Sequence, residues 1–136
     1  MMKTLGFTIF GDPDPNSRPR ASSFGGRARM YQEKKNWHYA IIQEAKLLQD
    51  HLQGPYEINI ICEFRRPKTH FNKKGLKENA PFYCEKKPDN DNIEKTVFDA
   101  LVKSGIIDDD AQIAKNSTIK VYSEDPKTTI IIKELT

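Results

Sequence analysis

The 136 residues, 37% hydrophobic and 30% charged with a mean hydropathy of −0.72, suit one small domain with a modest core and exclude an integral membrane protein. The net charge of +3 hides an asymmetry, because residues 1–88 hold 16 Lys/Arg against 9 Asp/Glu while residues 89–136 hold 6 Lys against 10 Asp/Glu. A basic part followed by an acidic one fits a polyanion-binding surface around a carboxylate cluster, and it equally fits ordinary solvated charge.

In chain order, Leu5 to Phe10 alternates loosely and ends in a Gly/Pro turn, so it reads as a first strand. Residues 11–30 read as a long loop made basic by Arg18, Arg20, Arg27 and Arg29. From Gln32 to about Gln53 there is no Gly or Pro, and Tyr39, Ile42, Ala45, Leu48 and Leu52 recur at helical spacing until Gly54-Pro55, which predicts a first helix. Tyr56, Ile58, Ile60, Cys62 and Phe64 alternate with Glu57, Asn59, Ile61 and Glu63, the pattern of a half-buried strand.

A second irregular, basic stretch covers residues 65–88 and includes Lys86 and Lys87. Asn92 to Lys103 places Ile93, Val97, Ala100 and Leu101 on one face, with Gly105 as C-terminal cap, and predicts a second helix. After the acidic run Asp108-Asp109-Asp110, Thr118–Tyr122 and Thr128–Lys133 read as paired strands joined by the Glu124-Asp125-Pro126 turn. The expected fold is therefore α+β, a small mixed β-sheet with two main helices in a single domain over residues 1–136.

No export signal is read at the N-terminus, and Cys62 and Cys84 lack Cys or His neighbours at zinc spacing, so reduced thiols in a cytoplasmic protein are expected. Asp89 and Asp91 stand two apart where extended chain enters the second helix, and Asp110 follows 19 residues after Asp91. Three such oxygen donors suit Mg²⁺ or, as a substitute, Mn²⁺. The same residues could instead act as caps, with Asp91 and Glu94 forming a capping box. Lys95, four residues after Asp91, could reach the cluster or a phosphate, or simply pair across the helix surface. Trp37, Tyr31 and Phe71 are of a type that stacks on bases, and as single aromatics serve equally as core or loop anchors. No triad signature involves His38, His51 or His70, and no phosphate-loop or dinucleotide motif is present, so no nucleotide cofactor is expected.

Lys87-Pro88-Asp89-Asn90-Asp91-Asn92, then Lys95, Phe98-Asp99-Ala100-Leu101 and Asp109-Asp110-Ala111-Gln112-Ile113 together resemble the RusA family of Holliday junction resolvases, metal-dependent endonucleases of phages and prophages. They match that family's P-D-x-D-N, helical K and D-A-L, and D-D-[AS]-Q elements in order. Gly11 to Arg20 and Arg29-Met30-Tyr31 resemble its proline- and arginine-rich opening. The resemblance implies an Mg²⁺-dependent endodeoxyribonuclease that resolves four-way junctions by paired symmetrical nicks in DNA recombination and repair, acting as a homodimer. It also implies Asp89, Asp91 and Asp110 as catalytic metal ligands, with Lys95 supporting catalysis. Arg18, Arg20, Arg27, Arg29, Lys86 and Lys87 are the expected DNA contacts. Asn90, where a small apolar residue is usual, and the additional acid Asp108 depart from the family pattern. The alternatives are a non-catalytic nucleic-acid-binding protein and a less selective branched-DNA nuclease.

Overall fold

The computed structural model describes residues 2–15, 20–24, 27–31 and 36–136, with side chains for 2–15 and 36–136. Its elements are β1 (Thr4–Phe10), β2 (Arg20–Phe24), β3 (Arg27–Tyr31), α1 (Trp37–Leu47), β4 (Tyr56–Arg65), β5 (Phe71–Asn72), β6 (Gly75–Leu76), α2 (Asn90–Ser104), β7 (Ile113–Ser123) and β8 (Lys127–Glu134).

The alternation read in β4 organises them. Tyr56, Ile58, Ile60 and Cys62 are completely buried on one face of β4, and Thr128, Ile130 and Ile132 do the same on β8. These side chains meet Trp37, Ile41 and Ala45 of α1 and Ile93, Val97, Ala100 and Leu101 of α2 in one hydrophobic cluster. Burying each large aliphatic side chain contributes about 1.5–3 kcal/mol. The sheet order is β1-β8-β4-β7, with β4 antiparallel to β8 and parallel to β7. A mixed sheet covered by two helices is the α+β arrangement expected from sequence. The parallel β4–β7 pair requires the long connection that carries α2.

Several sequence expectations are corrected. The strands around the Glu124-Asp125-Pro126 turn are not each other's partners: β4 is inserted between β7 and β8 and bonds to both. β4 has the most regular apolar alternation, so the central position buries its inward face most completely. β7 also starts at Ile113, five residues before the expected strand. The loop over 11–30 contains a ribbon, β2 antiparallel to β3 with Phe24 opposite Arg27. Gly25-Gly26 between two short runs is the sequence signal for such a hairpin.

Helix α1 begins at Trp37 with Asn36 as its cap, the Asn36 Oδ1 accepting from the Tyr39 amide at 3.2 Å, and it ends at Leu47. Residues 32–35, where the helix was expected to start, lie outside the described residues. Its buried register is Trp37-Ile41-Ala45 and not Tyr39-Ile42, since Tyr39 stays 38% exposed. Beyond Gln49, which has φ 51°, the predicted last turn is a loop. Leu52 there donates its amide to the Ile106 carbonyl at 2.8 Å and buries its side chain, a tertiary contact that outcompetes another helical turn.

Helix α2 holds the face read from sequence, Ile93, Val97, Ala100 and Leu101, and Gly105 ends it in the left-handed region at φ 86°. A side chain there would be strained, which is why glycine terminates the helix. Residues 65–88 are mostly irregular, with a short 3₁₀ turn at Lys68–His70 and the β5–β6 hairpin. Arg66 donates to the Pro81 carbonyl at 2.7 Å and lies 5.4 Å from the Tyr122 ring centroid, while His70 meets that ring edge-on at 4.8 Å. The basic stretch is thereby fastened to the sheet edge. Both cysteines are buried and unbonded to each other, and burial pushes the Cys62 thiol up to about 12. No described helix is long and apolar enough to cross a membrane.

Candidate metal and nucleic-acid site

Asp89 is the last extended residue before α2 (φ −73°, ψ 153°) and Asp91 already lies in the first helical turn. The expectation that both project from extended chain is corrected, because α2 starts at Asn90, two residues early. Asp89 is the N-cap by position, yet its carboxylate makes no capping hydrogen bond. It lies instead 3.5 Å from the Lys87 Nζ, both groups being well exposed. The helix dipole favours two acids here without consuming their oxygens.

The capping-box alternative does not hold. Glu94 Oε1 accepts from Asn116 Nδ2 at 3.0 Å and from Thr118 Oγ1 at 2.8 Å, which docks α2 on β7 rather than on its own first turn. Asn90 Nδ2 approaches the Thr118 carbonyl at 3.5 Å, so the polar residue between the two aspartates also contacts β7. Lys120 Nζ donates to the carbonyls of Lys86 and Pro88 at 2.7 and 2.8 Å, fixing the arch immediately before Asp89. Sequence reasoning missed both Lys120 and Glu94 as supports. Lys120 lies 31 positions beyond Asp89, and no local pattern marks it.

The three adjacent acids have three different surroundings. Asp108 pairs with His51 Nε2 at 3.3 Å, and Asp109 Oδ1 accepts from the Ala111 amide at 3.0 Å, capping the Asp110–Gln112 3₁₀ turn. Asp110, Asp91 and Lys95 make no side-chain hydrogen bond or ion pair among the described residues. Asp109 is thus engaged as a cap, whereas the Asp110 carboxylate is unengaged among the described residues. Gln112 packs on Gly54, where an added Cβ would come within 2.8 Å of its amide nitrogen. Asp99 bonds His38 of α1 at 2.7 Å and Lys103 at 3.2 Å, and the first contact joins the two helices.

Among the described residues no three acid, His or Cys side chains converge into a metal-binding group. The register gives the reason: the start of α2 lies beside Thr118, opposite Ile60, whereas the Asp110–Gln112 turn precedes Ile113, opposite Tyr56. Four residues along a strand separate those points by about 13 Å. Asp89 and Asp91 alone still match the chemistry of Mg²⁺, which accepts one or two carboxylates and completes its shell with water and phosphate oxygens.

Of the other candidates, Lys86 and Lys87 are exposed beside Asp89. Arg20 sits opposite Tyr31 and Arg29 opposite Ser22 in the β2–β3 ribbon, and Arg27 opposite Phe24. Arg18 lies outside the described residues, as does the Tyr31 side chain. Trp37 is a core residue whose indole N–H donates to Thr128 Oγ1 at 3.1 Å, whereas Phe71 is 39% exposed.

His51 borders the acidic turn. Its hydrogen bond with the Gly105 carbonyl, reinforced by Asp108, raises the imidazole above its ordinary 6.5. A raised folded-state value stabilises the protein fully below 6.5, and this contribution is lost as pH rises through the folded value. NMR titration is expected to find His51 above 6.5 and to find it lowered in Asp108→Asn. An unshifted His51 would remove this link between the Gly105 turn and the acidic turn.

A family model described as Endodeoxyribonuclease RusA matches residues 11–133. The chain is also 30% identical over 141 residues to the Bacillus subtilis (strain 168) protein named "Uncharacterized protein YqaN", covering 98% of this chain and 99% of that one.

Proposed function

This chain belongs to the RusA endodeoxyribonuclease family, and on that premise we propose that it is a metal-dependent nuclease that resolves four-way DNA junctions by paired symmetrical nicks as a homodimer. The observation that carries the reading is the pair Asp89 and Asp91 at the start of α2, with Asp89 free of capping duty although it occupies the cap position.

Asp89 and Asp91 would hold Mg²⁺ or Mn²⁺, with water and phosphate oxygens completing the shell. Asp110, about 13 Å along the sheet from the start of α2, would serve as the third acid that the family resemblance implies only on closing toward them. The bound ion would neutralise phosphate charge and make a water molecule a stronger nucleophile near neutral pH. Lys95, one turn beyond Asp91 and without an acidic partner among the described residues, supplies a positive charge to a non-bridging phosphate oxygen. Lys86 and Lys87, held in place through the Lys120 arch, grip the backbone beside the scissile phosphate. Arg18, Arg20, Arg27 and Arg29 extend the cationic track. Glu94, bound to β7, keeps the first turns of α2 stationary while the phosphate is engaged. A two-fold symmetric dimer would present two such sites to a two-fold symmetric junction, the economical route to matched nicks.

The test is cleavage of an end-labelled synthetic four-way junction in Mg²⁺, Mn²⁺ or EDTA, beside linear duplex of the same sequence. Symmetrical nicks that require metal and spare the duplex are expected. Binding without cleavage in every metal would make the protein a non-catalytic binder, and equal cutting of flaps and junctions would make it a general branched-DNA nuclease.

A further inference from the structure

Phe82 and Tyr83 are 61% and 64% exposed, and their rings meet edge to face with centroids 5.0 Å apart. Two large aromatics left in water next to each other call for an explanation that core packing does not give. Their backbone is firmly held. Tyr83 bridges Val121 of β7, the Phe82 carbonyl accepts from the Tyr122 amide at 2.9 Å, and the Cys84 amide donates to the Lys120 carbonyl at 3.0 Å. The rings are therefore mounted on the edge of the sheet, and little conformational freedom remains to be lost on binding.

The chain on either side of the two rings is cationic. Residues 71–88 carry Lys73, Lys74, Lys77, Lys86 and Lys87 against only Glu78 and Glu85. Lysine is depleted from the centres of protein–protein interfaces, whereas aromatic faces beside a track of positive charge are the usual means of holding unpaired nucleic acid. The platform is also continuous with the candidate site, because Lys120 joins both: its carbonyl bonds Cys84 and its Nζ bonds Lys86 and Pro88, just before Asp89.

We propose that Phe82 and Tyr83 form a stacking platform for a nucleobase exposed at a DNA branch point, and that this contact makes the protein select branched DNA over linear duplex. The proposal rests on the nuclease reading above and adds the element that recognises the substrate. Bases inside a linear duplex are stacked on both faces and offer nothing to the platform; a base at a branch has a free face.

The experiment uses a four-way junction with 2-aminopurine at the branch, titrated with the full chain in EDTA so that no cleavage intervenes, beside linear duplex. The variants are Phe82→Ala/Tyr83→Ala and Phe82→Trp/Tyr83→Trp; the truncated side chains are exposed, and the bonds that hold this segment are main-chain. The double alanine variant is expected to lose roughly 5- to 150-fold in junction affinity per stacked base, with duplex affinity unchanged and the 2-aminopurine quench abolished. The tryptophan pair is expected to keep both. Wild-type affinity and quench in the alanine variant would overturn the platform while leaving the nuclease reading intact. So would a change in its oligomeric state by light scattering, which would assign the face to a second copy of the chain. A wild-type chain that neither binds nor nicks the junction would overturn both.

Discussion

Asp89→Asn/Asp91→Asn is expected to lower junction cleavage by about 10³-fold or more in Mg²⁺ while the variant still binds the junction in EDTA. Asparagine keeps the shape and one oxygen of each side chain but removes the charge that attracts a hard cation. Little else should change. Asp89 makes no capping bond to lose, asparagine is as good a cap, and its contact with Lys87 is an exposed pair of small energetic weight. Losing the acid of the first turn costs α2 only about 0.3–1 kcal/mol.

The neighbouring acids sharpen the test. Asp110→Asn is expected to behave like the double variant, whereas Asp109→Asn should cleave nearly as wild type, since an asparagine oxygen can still accept from the Ala111 amide. Single-turnover cleavage of all three variants makes the comparison. A double variant that cuts at the wild-type rate would refute the metal assignment, and loss of activity in Asp109→Asn but not in Asp110→Asn would exchange the roles of those two residues.

The second large effect is on stability. Ile93→Ala is expected to destabilise the protein by about 2–5 kcal/mol, because Ile93 is fully buried between α2 and the sheet and its removal leaves a cavity as well as losing transfer energy. Against a total stability of roughly 5–15 kcal/mol, that should lower Tm by about 10 °C or more. Ile93 follows the site by two residues, so the folded fraction should also cleave more slowly as the first turns of α2 loosen. Ile119→Ala is the control: on the same sheet but 42% exposed, it should cost under about 1 kcal/mol. Equal Tm values for the two variants by thermal unfolding would contradict the packing of α2 against β4 and β8.

Where a feature depended on local periodicity, the amino-acid sequence by itself determined it. The buried face of α2 and its glycine stop, the alternation of β4, and the acidic motif with its family resemblance are all readable within windows no longer than the stretch from Lys87 to Ile113. That is because side-chain direction repeats every 3.6 positions in a helix and every two in a strand.

Features that depended on which distant segments compete for the same surface were decided only by the tertiary structure. β4 separates β7 from β8 because the central position best buries its alternate residues, and no sequence window contains all three strands. The phase and end of α1 followed from the contacts open to Trp37 and Leu52 in the core, which overrode a helical pattern drawn through Tyr39 and Ile42. The same holds at the candidate site. Asp108, Asp109 and Asp110 are chemically identical in the sequence, and became an ion-pair partner, a cap and a carboxylate unengaged among the described residues because His51, Ala111 and the 3₁₀ turn supply different neighbours to each. Lys120 acquired its role in the same way, through carbonyls more than thirty residues distant in the chain that the β7 edge brings within 3 Å.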